Sequence, residues 1–165
     1  MMVGVPPLGP RDAALAVLLV VACATDLRAR RIPNVLTLPA MALGAGVAPL
    51  YDVQWWQGLA GIGIAFVAAF PAWRFGGALR AGDVKLLMAA GSLVGWQIAL
   101  RATLFSYALA VPFGLLVLAY RGRLGNLWRF WVRGERTEVT LVAFAPVIVA
   151  AVLLARLQPW PEFPW

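Results

Sequence analysis

Six apolar stretches, separated by short segments that carry most of the charges, constrain this chain more than any other feature of its sequence. They cover approximately residues 10–25, 34–50, 58–75, 84–96, 98–120 and 139–157. About 20 apolar residues in a helix cross the hydrocarbon core of a bilayer. The chain has 165 residues, of which 62% are hydrophobic and 13% charged, whereas soluble domains are less apolar and more charged. The sequence therefore predicts an all-α integral membrane protein with about six transmembrane helices in a single domain, residues 1–165.

The fourth stretch, residues 84–96, is shorter than the others. At about 1.5 Å per residue it reaches roughly 20 Å, and the apolar core of a bilayer is about 30 Å thick. We therefore expect a short fourth helix that is partly buried by protein. The fifth stretch contains Pro112, but its length still favours one continuous helix.

The basic residues are unequally divided between the two sides that six helices would define. One side carries Arg28, Arg30, Arg31, Arg74, Arg80, Lys85, Arg121, Arg123, Arg129, Arg133 and Arg136, and the other carries Arg11, Arg101 and Arg156. The positive-inside rule places the richer side in the cytoplasm, so both termini are predicted to face outward. The basic segments on the predicted cytoplasmic side thus account for the net charge of +7. Anionic lipid headgroups are the expected partners of the basic inner segments, including residues 121–136, and nucleic acid is not expected.

The residue types that are missing exclude several kinds of active site. The sequence contains no histidine and one cysteine, Cys23. A serine hydrolase with a histidine base, a histidine-ligated zinc site and a disulfide framework are therefore all excluded. We expect neither a metal nor another cofactor.

Two of the seven acidic residues lie at the ends of apolar stretches. Asp26 follows the first and Asp83 precedes the fourth, both at the predicted cytoplasmic edge. Ionisable groups at membrane depth are costly and usually functional, but interfacial caps or salt bridges to Arg28 or Lys85 would explain these positions equally well. The other acidic residues are expected to be solvated: Asp12, Asp52, Glu135, Glu138 and Glu162.

The residues around the two aspartates form two motifs. The first is Asp26-Leu-Arg-Ala-Arg-Arg-Ile-Pro-Asn34, and the second is Ala81-Gly-Asp-Val-Lys-Leu-Leu87, preceded by Gly76 and Gly77. Together they resemble the type IV prepilin peptidase family, the bacterial aspartyl proteases of the membrane that carry a Gly-x-Gly-Asp motif. The resemblance extends from the first helix to the sixth.

This sequence departs from the family pattern in two ways. Arg80 replaces the first motif glycine, and the paired cysteines of the larger members are missing. The chain thus resembles the short, peptidase-only members of tight-adherence (Flp) pilus systems. Arginine is restricted at positive φ where glycine is not. We expect its side chain to point to lipid headgroups, and the alternative is a resting-state ion pair with Asp83.

The resemblance implies an aspartyl endopeptidase in the bacterial cytoplasmic (inner) membrane. It would cleave the basic leader from prepilin-like substrates, which continue into an apolar helix, on the cytoplasmic side. Asp26 and Asp83 would be catalytic, because two carboxyl groups that share one proton can activate water and protonate the carbonyl oxygen. Asp83 lies near a helix N-terminus and is favoured as the anion, and Asp26 lies near a C-terminus and is disfavoured.

Four further residues are candidates for supporting the substrate or the loop. Lys85 would orient a substrate backbone or carboxylate, or else extend to the membrane interface. Gly76, Gly77 and Gly82 would let the loop approach a bound backbone closely, although helix termination also explains the first two.

Two other classes of function stay open at this point. Paired carboxylates also serve small transporters and proton relays, but no acidic residue falls near the middle of a predicted helix. The third possibility is a non-catalytic membrane scaffold in which both aspartates are interfacial caps.

Overall fold

The computed structural model describes residues 9–46, 56–74, 79–120, 122 and 143–157. Within these ranges the chain forms six helices and no strand, which confirms the all-α prediction for this part of the protein. The helices are α1 (Pro10–Ala29), α2 (Asn34–Gly46), α3 (Trp56–Arg74), α4 (Ala81–Val94), α5 (Trp96–Tyr120) and α6 (Ala145–Leu157).

Two of these helices, α3 and α5, are long and apolar enough to cross a membrane, and α2 and α6 are apolar but shorter. The α5 helix continues through Pro112, as predicted. Many side chains on the outside of the bundle are apolar and more than half exposed: Val17, Val20, Val35, Leu43, Val67, Leu104, Val111, Leu116 and Leu157. A surface of this kind suits a lipid environment better than water.

The boundaries of α1 and α4 differ from the sequence prediction at the two aspartates. The α1 helix extends to Ala29, so Asp26 lies within its last turn rather than after it. The α4 helix begins at Ala81, so Asp83 is its third residue rather than the residue before it. Hydropathy marks where a helix becomes polar, whereas the hydrogen bonds of its first and last turns decide where it begins and ends.

The short α4 helix lies at the centre of the bundle. It contacts each of the other five helices found in the described ranges, and the side chains of Leu86 and Leu87 are almost completely buried. Protein therefore covers this helix on most sides, which explains why 14 residues are sufficient. A single residue, Gly95, joins α4 to α5 with a φ of 84° that favours glycine.

Close backbone contacts hold α4 against α2 and α3. A Cβ atom on Gly61 of α3 would overlap the carbonyl group of Gly91, and one on Gly44 of α2 would overlap Ser92. The Ser92 hydroxyl donates hydrogen bonds to the carbonyl oxygens of Ala89 at 2.8 Å and Ala40 at 3.3 Å. The small residues on these helices thus let α4 enter the centre of the bundle.

An ion pair joins α1 to α6 at the end of the bundle away from Asp26. The Nη2 atom of Arg156 lies 2.8 Å from Oδ1 of Asp12, and Asp12 also accepts a hydrogen bond from the Gly9 amide at 2.9 Å. The expectation that Asp12 is simply solvated is therefore wrong. Because the start of α1 meets the end of α6, Arg11 and Arg156 belong to the same end of the bundle, as the charge distribution predicted.

Candidate active site

Asp26 is a buried carboxylate that connects α1 to α6. Only 3% of its surface is exposed, and its Oδ2 atom accepts a hydrogen bond of 2.9 Å from the backbone amide of Ala145. Ala145 is the first residue of α6, whose first amides have no partner within the helix. The sequence prediction considered only the C-terminal end of α1. The N-terminus of α6 is therefore a second helix end in contact with Asp26.

Asp83 is equally buried, with 3% of its surface exposed. Its Oδ2 atom accepts a hydrogen bond of 2.9 Å from the backbone amide of Arg80, the residue that caps α4. A carboxylate at the third position of a helix commonly binds the amide of the capping residue. The prediction that Asp83 lies at a helix N-terminus is therefore confirmed.

The fold brings the two aspartates together from distant parts of the sequence. The α1 and α4 helices pack against each other, and the contact between Arg80 and Arg30 places their two buried aspartates at the same end of the bundle. Two buried carboxyl groups thus come from helices whose ends are joined by a side chain of the second motif.

The turn after α1 has a strained backbone next to Asp26. Arg30 has a φ of 51°, the one positive value among the non-glycine residues of the described ranges. Its amide donates a hydrogen bond of 2.8 Å to the carbonyl oxygen of Asp26 and so closes the helix. A left-handed conformation costs roughly 1–2 kcal/mol for a residue other than glycine, so surrounding contacts must hold it.

Side chains of the second motif contact the first motif directly. The Nη1 atom of Arg80 donates to the Arg30 carbonyl oxygen at 3.0 Å, and Nζ of Lys85 donates to Oδ1 of Asn34 at 2.9 Å. A Cβ atom on Gly82 would come within 3.4 Å of the Cβ of Ile32. The segment between α1 and α2 thus lies against the first turn of α4.

These contacts revise the interpretation of Arg80. Its guanidinium donates a hydrogen bond to a backbone carbonyl of the protein, and the group of Arg80 that donates a hydrogen bond to Asp83 is the backbone amide. The φ of Arg80 is −93°, which any residue adopts, so this loop position does not require glycine. The concern that arginine would be conformationally restricted there is unfounded.

The other supporting candidates have mixed outcomes. The structure places the Lys85 side chain on Asn34, and Gly82 packs against Ile32. Gly76 and Gly77 lie outside the described residues. The basic segment 121–136 also lies outside them, except for Gly122.

Sequence reasoning missed two groups at this site. No sequence signal identifies the Ala145 amide, since any residue but proline supplies this donor. Asn34 stood in the first motif without an assigned role, and its position directly after Pro33 at a helix start was the available signal. No cluster of three or more histidine, cysteine or acidic residues suited to a metal occurs in the described ranges.

A comparison with protein families agrees with the resemblance seen in the two motifs. The model of the type IV leader peptidase family matches residues 13–115, which include both aspartates and more than half of the chain. The matched region ends within α5, so Ala145 and the rest of α6 lie beyond it. Comparisons with curated proteins and with solved structures found no match.

Proposed function

Because this chain belongs to the type IV leader peptidase family, we propose that it is an aspartyl endopeptidase that cleaves the basic leader from prepilin-like substrates. Family membership makes the protein a protease, and the aspartyl mechanism is the proposal. The observation that carries it is the burial of Asp26 and Asp83 on two helices, α1 and α4, that pack against each other. No other pair of acidic side chains in the described ranges is buried in this way.

The hydrogen bonds at the site suit the two roles that peptide hydrolysis requires. A backbone amide binds Oδ2 of each carboxyl group, from Ala145 in one case and Arg80 in the other. These bonds fix the orientation of each carboxyl group, and no hydrogen bond from the described residues is found at its Oδ1 atom, which we assign to water and substrate. The ionised group takes a proton from water, and the protonated group donates its proton to the carbonyl oxygen of the scissile peptide.

The substrate and location follow from the same family and from the charge distribution. We place the site at the cytoplasmic face of a bacterial inner membrane, with six spans and both termini outward. The strongly basic segment between α1 and α2 lies directly beside Asp26, as the positive-inside rule expects of a cytoplasmic segment. A substrate helix would then remain in the bilayer while its leader extends into the cytoplasm.

The test is cleavage of a prepilin-like peptide by the purified protein in lipid vesicles. Asp26→Asn and Asp83→Asn should each abolish cleavage, because neither carboxyl group alone can act as both base and acid, and both variants should remain folded. Asp12→Asn removes a carboxylate at the opposite end of the bundle and should retain activity. Full activity in either of the first two variants would refute the mechanism.

The same experiment separates the other classes of function. A transporter or proton relay would show no cleavage but would move protons or cations across the vesicle membrane, with a dependence on Asp26 and Asp83. A scaffold would do neither, and replacing the aspartates would affect only its stability.

A further inference from the structure

A continuous series of hydrogen bonds joins the two aspartates through Arg30 and Arg80. The Arg30 amide binds the carbonyl oxygen of Asp26 at 2.8 Å, and the Arg30 carbonyl oxygen accepts Nη1 of Arg80 at 3.0 Å. The Arg80 amide then binds Oδ2 of Asp83 at 2.9 Å. Arg80 therefore contacts the end of α1 with its side chain and the catalytic carboxyl of α4 with its backbone.

The guanidinium of Arg80 is held against the protein. Its second terminal nitrogen, Nη2, is buried from solvent, although Arg80 as a whole is only half-buried. A side chain that served only to contact lipid headgroups would leave its nitrogens accessible. The packing of Nη2 against the protein keeps the guanidinium beside Arg30, and the hydrogen bond from Nη1 lies at the surface.

The Arg30 carbonyl oxygen, which Arg80 binds, belongs to a strained turn at the end of α1. Arg30 adopts the strained left-handed conformation, and Asp26 lies in the last turn of α1, where helices fray. A hydrogen bond to the Arg30 carbonyl restrains this turn and with it the direction of the Asp26 side chain. Without it, the end of α1 can relax away from α4.

We propose that Arg80 is a positioning residue that sets the spacing of Asp26 and Asp83, in place of the glycine that the family pattern has there. This inference rests on the proposed function of the two aspartates. It concerns only how they are held, because Arg80 is assigned no contact with substrate. Catalysis is sensitive to such spacing, since a displacement of about 1 Å can lower a rate by roughly a hundredfold.

The test is the cleavage kinetics of Arg80→Met, which keeps an apolar stem of similar length and loses the donor. We expect kcat to fall by about tenfold or more while KM stays within about twofold, because substrate binding is unaffected. Arg80→Lys keeps a charged donor and should recover a substantial part of kcat. The matched control is Arg31→Met, which removes an exposed arginine next to Arg30, in the segment between α1 and α2, and should leave kcat unchanged.

A second variant covers the case in which Arg80→Met is not recovered in folded form. Arg80→Gly restores the residue of the family pattern, and glycine at a helix cap costs little stability. It also removes the guanidinium, so its kcat should fall in the same way. The inference is overturned if the recovered variant keeps the wild-type kcat, if KM alone changes, or if Arg31→Met loses as much activity.

These outcomes are distinct from a failure of the proposed function. If the wild-type protein cleaves and Asp83→Asn does not, the function stands and the Arg80 variants decide the inference alone. If the wild-type protein does not cleave, the proposed function fails and the inference fails with it.

Discussion

The side-chain ammonium of Lys85 donates a hydrogen bond of 2.9 Å to Oδ1 of Asn34, which joins the second motif to the first. Asn34 begins α2 and Lys85 lies in the second turn of α4. Together with the contact between Arg80 and Arg30, this bond holds the segment after α1 against α4. Lys85 and Asn34 thus each have a structural partner within the protein.

This relationship predicts an energetic coupling between the two residues. Lys85→Met and Asn34→Ala should each lower the free energy of unfolding, and the double variant should lose less than the sum of the two. We expect a coupling of about 1 kcal/mol, because the bond involves a charged donor but lies near the surface. Thermal unfolding of the four proteins in detergent measures it, and strictly additive losses would show that the bond contributes nothing.

The packing of α3 against α4 predicts that Gly61→Ala destabilises the protein. The added methyl group would overlap the Gly91 carbonyl, and overpacking of this kind costs roughly 1–3 kcal/mol. Gly63→Ala on the same helix is the control, because a Cβ there meets no atom within 4 Å. Its effect should be neutral or slightly stabilising, since alanine favours a helix over glycine. Equal unfolding temperatures for the two variants would contradict the contact.

The charge distribution predicts that the segment between α1 and α2 faces the cytoplasm. In a Cys23→Ala background, Arg31→Cys should react with a membrane-impermeant thiol reagent only after the cells are opened. Gly46→Cys, at the other end of α2, should react in intact cells, and a Cβ there has open space around it. Both residues are exposed. The reverse labelling pattern would invert the topology and place the aspartates on the outer face.

The residue types available predict that cleavage requires no metal. With no histidine and a single cysteine, the chain cannot form an ordinary zinc site. Activity should therefore be the same after dialysis against a chelator as before it. Loss of cleavage on chelation, with recovery on addition of zinc, would require a different mechanism.

Several features of the protein follow from the sequence alone because they depend on local composition. The apolar stretches predicted the helices, including the passage of α5 through Pro112 and the short α4, because hydropathy and length are properties of a segment by itself. The motifs around Asp26 and Asp83 identified the family, since each motif is a continuous run of residues that can be read directly from the sequence. The exact C-terminal end of α1 and the exact start of α4 did not follow, because the hydrogen bonds of a terminal turn depend on what surrounds it.

The partners of the aspartates were decided by the tertiary structure. The Ala145 amide reaches Asp26 because α6 packs against α1, and a backbone donor has no sequence signature. The Arg80 side chain finds the Arg30 carbonyl because α4 occupies the centre of the bundle beside the end of α1. Residues so distant in sequence meet only when the helices pack, and close glycine contacts of α2 and α3 with α4 hold α4 in its central position.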